Sequence, residues 1–268
     1  MAMGEGWRHC CRALFALLIA LAIGAEEKKV DYMPSAQKVK VTVEQPLRDG
    51  GNADNDAVVK RLEDAKTWEG YFKRIDESLG IYRKDGLPIA VALKAQNTYP
   101  RRGMGSVGRN KSGSLWISVP ALVQSAKAKK LDLAATVDNI VTHELIHSLQ
   151  QDAAGNDLTR QWPTWLTEGM ADFAAYDEPN AAEMRALAPL TEKDIDASTG
   201  TPAYMRLRGW VFLKFLQETY GKEKTKECLK LLMNGEAYKK AVETATGASW
   251  ETLKGAEQKW SKEYATKK

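Results

Sequence analysis

The chain has 268 residues, 44 % hydrophobic and 28 % charged, with a formal net charge of +4. This is an ordinary composition for a soluble globular protein, and the length supports one substantial domain or a two-lobed one. Its charges are interspersed, the runs Lys129-Lys130 and Lys267-Lys268 are short, and no zinc-finger spacing, RNA-binding signature or basic helix is present, so no nucleic-acid partner is expected.

Residues 1–25 read as a secretory signal peptide. Arg8 and Arg12 supply a positive start, Ala13 to Ile23 an apolar run too short for a comfortable membrane span, and Gly24-Ala25 a small-residue end. The expected location is periplasmic or extracellular, with membrane anchoring by an uncleaved N-terminus as the alternative. Cleavage would remove His9, Cys10 and Cys11, leaving Cys228 as the only cysteine and His143 and His147 as the only histidines. A single cysteine forms no internal disulfide, so the exported chain must rest on its core.

Residues 26–57 read as a linker or N-terminal extension, with one alternating run, Val39 to Val43, suited to an edge strand. Ala57 to Leu79 carries a helical stripe of Val58, Leu62, Ala65, Trp68, Phe72, Ile75 and Leu79, stopped by Gly80, and Leu87 to Leu93 reads as a buried strand. Gly103 to Gly108 matches G-x-G-x-x-G, but Tyr99-Pro100-Arg101-Arg102 precedes it and a strand, Ser114 to Val119, follows. That order does not place phosphate on a helix N-terminus, so the stretch is a glycine loop. The strand after it can expose an edge to an extended peptide.

Thr142-His143-Glu144-Leu145-Ile146-His147 lies in an amphipathic pattern of Leu133, Val137, Ile140, Val141, Leu145 and Leu149, with Asp132 placed as N-cap and Gly155 beyond the end. Histidines four apart share a helix face and can aim two imidazole nitrogens at one metal ion, with Glu144 beside them as general base. A catalytic zinc takes a third protein ligand. With no other histidine left after cleavage, it must be a carboxylate, unless Cys228 serves. The candidate is Glu168, 21 residues after His147 and just inside a helix that starts at Trp162-Pro163-Thr164. Asp172, four further on, shares its face and can receive the free N–H of a ligand histidine.

His143-Glu144-Leu145-Ile146-His147 followed by Trp165-Leu166-Thr167-Glu168-Gly169-Met170-Ala171-Asp172 resembles the gluzincin zinc metallopeptidases, in particular the small peptidase MA-like group with its W-L-x-E-G-x-A signature. Trp210 to Gly221 and Gly247 to Trp260 resemble that group's later helices, so the likeness covers about residues 60 to 265. It implies His143, His147 and Glu168 as ligands of one Zn²⁺, Glu144 as general base, Asp172 behind a ligand, and an oxyanion-stabilising tyrosine for which Tyr204 and then Tyr176 are the candidates. No G-x-M-E-N exopeptidase motif is present.

Past the site, helices are expected over about 205–220, 222–233, 237–245 and 249–264. The fold expected is α+β, a small sheet packed on the zinc helix followed by a mostly helical C-terminal lobe, with residues 58–268 as the metallopeptidase domain. The function expected is an exported zinc-dependent metallopeptidase acting on a peptide or protein, without a stable membrane span once the signal is removed. A catalytically inactive zinc-fold binding or scaffold protein of the cell envelope is the alternative.

Overall fold

The computed structural model describes residues 38–82, 88–96, 105–107, 114–154, 162–179, 183, 195–197 and 202–267. The signal-like segment 1–25, Gly155 and most of the glycine stretch 103–108 lie outside them. No helix among the described residues is long and apolar enough to cross a membrane. The architecture is the expected α+β arrangement, a small sheet followed by a helical C-terminal part.

The sheet has the order β1-β2-β4-β3. Strand β1 (Val39–Val43) pairs in parallel with β2 (Ile89–Lys94), Val39 opposite Ile89 and Val43 opposite Leu93. In turn β2 pairs in parallel with β4 (Leu115–Ser118), and β4 pairs antiparallel with β3 (Gly105–Val107). Ile89, Val91, Leu93, Leu115 and Ile117 are buried, so the strands are held by one continuous apolar face. Part of the stretch read as linker thus belongs to the fold, because β1 is a sheet edge. The strand expected to expose an edge, β4, is internal. β3, inside the glycine stretch, takes the edge and lies next to the helix of the histidines.

A short turn of helix, α1 (Gln45–Arg48), leads into α2 (Ala53–Glu63) and α3 (Ala65–Leu79). The single helix expected over 57–79 is broken at Asp64, whose extended backbone ends α2 while its carboxylate accepts from Lys66 N to cap α3. The apolar stripe continues across the break, with Val58, Leu62, Trp68, Phe72, Ile75 and Leu79 buried. After β4 comes a helix the sequence reading lacked, α4 (Val119–Lys129). Pro120 sits in its first turn, where a missing N–H costs nothing, and Ser118 caps it.

Helix α5 (Leu133–Ala154) carries both histidines. Asp132 caps it, accepting from Ala135 N at 2.7 Å. It is buried on most sides, through Val137, Val141, Leu145, Ile146 and Leu149. Asp138 ties it to the preceding helices, accepting from Arg61 through two nitrogens (2.7 and 2.5 Å) and from the Tyr71 hydroxyl (2.7 Å). Arg74 of α3 donates both to Asn139 Oδ1 of α5 and to Ala175 O, the last carbonyl of α6 (Thr164–Ala175).

The C-terminal part is α7 (Pro202–Tyr220), α8 (Lys222–Met233), α9 (Tyr238–Thr246) and α10 (Trp250–Lys267), close to the expected positions. Helices α6 and α7 pack backbone to backbone: a Cβ on Gly209 would stand 1.8 Å from Trp165 O, and one on Gly169 would stand 2.3 Å from Gly209 Cα. Only two glycines facing each other permit that approach. Next to the crossing residue Gly209, Arg208 is fully buried and donates through Nη1 and Nη2 to the two carboxylate oxygens of Glu257 on α10, which also accepts from Ser261 Oγ.

Candidate metal centre

One turn of α5 separates His143 from His147, and the antiparallel return through α6 brings Glu168 to the same point. His143 Nε2 and His147 Nε2 are 3.0 Å apart, and each is 3.6 Å from an oxygen of Glu168. Among the described residues these three form the group of histidine, cysteine and acidic side chains that could hold a metal ion. Cys228, the open alternative, is buried on α8 with its thiol pushed up to about 12 by burial, and it is not part of the group.

The far sides of both rings are occupied. His143 Nδ1 lies 2.7 Å from Asp172 Oδ1; each of these buried atoms lacks any other partner, and their alignment falls short of a linear hydrogen bond. His147 Nδ1 lies 2.8 Å from Gln150 Oε1, and the Gln150 amide is itself fixed by donating to Thr167 O at 3.0 Å. The Gln150 oxygen favours a proton on His147 Nδ1 and the nearby Asp172 carboxylate favours one on His143 Nδ1, an arrangement that leaves both Nε2 atoms facing each other and Glu168.

Lone pairs and a carboxylate converging this closely require a cation. A proton on His147 supplies part of it: burial works against that charge, but Glu168 and Glu144 outweigh it and raise the imidazole to about 9. Glu168 is driven the other way, to about 2, since His147, Arg206 and His143 overcome the effect of its burial. The donor set also suits a metal. Two nitrogens at ~2.0–2.1 Å from a tetrahedral zinc stand roughly 3.3 Å apart, and the spacings here are 3.0 and 3.6 Å. Two imidazoles and one carboxylate make three donors, one fewer than the four that close a structural zinc site.

Glu144 is partly exposed beside His143, and its charge acts on both His147 and Tyr176. Tyr176, at the C-terminus of α6, places its ring 6.3 Å from that of His143. Burial and the Asp172 carboxylate push its phenol up to about 12, so it stays a donor at neutral pH. Tyr204 lines the same cleft of about 650 Å³, whose wall also includes Asp172, Arg206, Leu207 and Trp210.

Three contributors escaped the sequence reading. Gln150 stands three residues after His147, so helix periodicity alone had placed it on that face. Arg206 donates from Nε to Glu168 Oε2 at 2.8 Å. Arg74 locks the ends of the two ligand-bearing helices together. The last two come from distant segments and carry no local signal.

No known family model matches the chain, and no curated protein is detectably similar to it.

Proposed function

We propose that the chain is an exported zinc-dependent metallopeptidase of gluzincin type, acting on a peptide or protein in the periplasm or outside the cell. The observation that carries this reading is the donor set itself: His143 Nε2, His147 Nε2 and a Glu168 oxygen converge, with their orientation set from behind by Asp172 and Gln150. His143, His147 and Glu168 would hold one Zn²⁺, which when bound supplies a Lewis acid that polarises a carbonyl and acidifies water.

The chain's own residues supply the rest. Glu144 takes the proton of the attacking water and passes it to the leaving amine. Tyr176, kept protonated, donates to the oxygen that gains charge as the carbonyl is attacked. Asp172 and Gln150 hold the ligand rings in the correct tautomer. The cleft beside them, lined by Tyr176, Tyr204, Leu207 and Trp210, offers an aromatic and apolar wall to a side chain of the substrate. Export rests on the residue pattern of positions 8–25.

A second reading, a zinc-fold binding protein of the cell envelope without turnover, draws on one observation: a ligand oxygen, Glu168 Oε2, is held by Arg206. One experiment separates the two. Purified wild type and Glu144→Gln are assayed for zinc content and for hydrolysis of a broad peptide library. The peptidase reading expects about one zinc per chain in both and a loss of hydrolysis of at least 10²-fold in the variant. Zinc without hydrolysis of any library member by the wild type favours the binding protein, and full activity in Glu144→Gln refutes the mechanism.

A further inference from the structure

The guanidinium of Arg206 lies across the front of the ligand group. Its Nε donates to Glu168 Oε2 at 2.8 Å, and its Nη2 lies 3.5 Å from His143 Nε2. It therefore engages two of the three side chains, His143 through the nitrogen it would offer a metal and Glu168 through one of its two carboxylate oxygens. The position is built into the fold, because Arg206 sits three residues before Gly209, and the Gly209–Gly169 crossing presses this turn of α7 against the turn of α6 that carries Glu168. A guanidinium bound to a carboxylate oxygen satisfies it strongly, and a divalent cation placed beside that guanidinium is repelled by it.

We propose that Arg206 is a built-in competitor for the metal: its guanidinium holds Glu168 until the ion displaces it, so the ion is bound exchangeably rather than permanently. This rests on the reading of His143, His147 and Glu168 as metal ligands. The observed affinity is then the intrinsic one reduced by the fraction of molecules in which Arg206 has released Glu168. A resting place for the released side chain is at hand. Arg206 is partly exposed and lines the open cleft beside the ligands, so the released guanidinium can turn toward solvent without burying its charge. Lys129 lines that cleft as well but has no contact with Glu168, which makes it the control for a general effect of positive charge.

The test uses the full chain, stripped with a chelator and titrated with zinc against a chromogenic chelator of known affinity. Arg206→Gln is expected to bind zinc about tenfold tighter or more, since a charge-assisted bond and a like-charge repulsion both disappear. Arg206→Lys should fall between it and the wild type, and Lys129→Gln within about twofold of the wild type. Thermal melting adds a reading of opposite sign: stripped Arg206→Gln should melt below the stripped wild type, having left Glu168 unpaired, yet gain more on adding zinc. Equal or weaker zinc affinity in Arg206→Gln overturns the proposal, as does equal tightening by Lys129→Gln. If neither wild type nor Arg206→Gln binds zinc, the ligand assignment falls with it, whereas binding lost in His143→Ala alone keeps that assignment and leaves the Arg206 comparison to decide.

Discussion

Replacing Gly209 with alanine tests the packing that sets the site. The added Cβ would stand 1.8 Å from the carbonyl oxygen of Trp165 and 2.7 Å from Gly169 Cα. A carbon and a carbonyl oxygen approach to about 3.3 Å at closest, so α6 and α7 must part by roughly 1.5 Å, and both obstructing groups are backbone that cannot rotate away. The parting loosens the edge-to-face contact of Trp165 with Phe212 (5.1 Å) and the Phe173–Trp210 contact (5.5 Å). Overpacking costs about 1–3 kcal/mol, and a gap of even 0.5–1 Å forfeits a quarter to a half of each dispersion contact. A loss of ~3 kcal/mol or more follows, which for a domain of this size lowers Tm by roughly 6–12 °C. Circular dichroism melts of Gly209→Ala should show that drop, and zinc content should fall with it because Glu168 rides on α6. Gly70→Ala is the internal control: it lies in α3 with nothing within 4 Å of its Cβ, and should stabilise by about 0.5–1 kcal/mol through helix propensity. If Gly209→Ala melts within 1 °C of the wild type, the two helices are not held at the distance argued here.

Gln150→Leu removes the oxygen that holds His147 while keeping a side chain of similar size, and should weaken zinc binding by about 10–100-fold in the same competition titration; unchanged affinity would mean that the amide does not orient the ring. Glu257→Gln leaves Arg208 buried and charged, and should cost about 3–5 kcal/mol in denaturant unfolding, much of it recovered when Arg208→Met is added; a single-variant loss below 1 kcal/mol would contradict the burial of that pair. Asp196, in the single turn Ile195–Ala197, accepts from Tyr238, Lys239 and the Trp250 indole, and despite its partial burial these partners hold its carboxyl below the ordinary value of 3.8. Its folded pKa lies under its unfolded one, so its contribution is complete above about pH 4 and fades as pH falls through the folded value. The stability gap between wild type and Asp196→Asn should therefore close in acid, and a gap that widens there would reverse the assignment.

How legible each feature was depends on how local its cause is. The histidines, Glu168 and Asp172 could be placed because their spacings of four fall on single helix faces, and the structure brings all four together. Gln150 stood on the same face, but an amide near a helix end carries no chemical signature of its own. Arg206 approaches Glu168 only because α7 crosses α6 at two glycines, and no pattern within either helix encodes that meeting. The sheet order was hidden for the same reason: alternation identifies a strand, whereas its place at β4, inside rather than at the edge, follows from which distant strands pair with it. Two boundary errors have local causes. The strand expected over Ser114 to Val119 stops at Ser118, because Val119 and Pro120 already open a helix, and the break at Asp64 leaves the apolar stripe in phase, so periodicity passes over it.

One short stretch of α7 makes three contacts at once. Arg206 reaches Glu168, Arg208 reaches into α10 to meet Glu257, and Gly209 rests on the backbone of α6. Four consecutive residues act as an axle, and a rotation or shift of that axle moves all three contacts together. The C-terminal helix, whose chemistry is remote from the ligands, is thereby geared to them. Lifting or cutting α10 before Glu257 would leave Arg208 buried without its carboxylate, on the same stretch of α7 that holds Arg206 against Glu168.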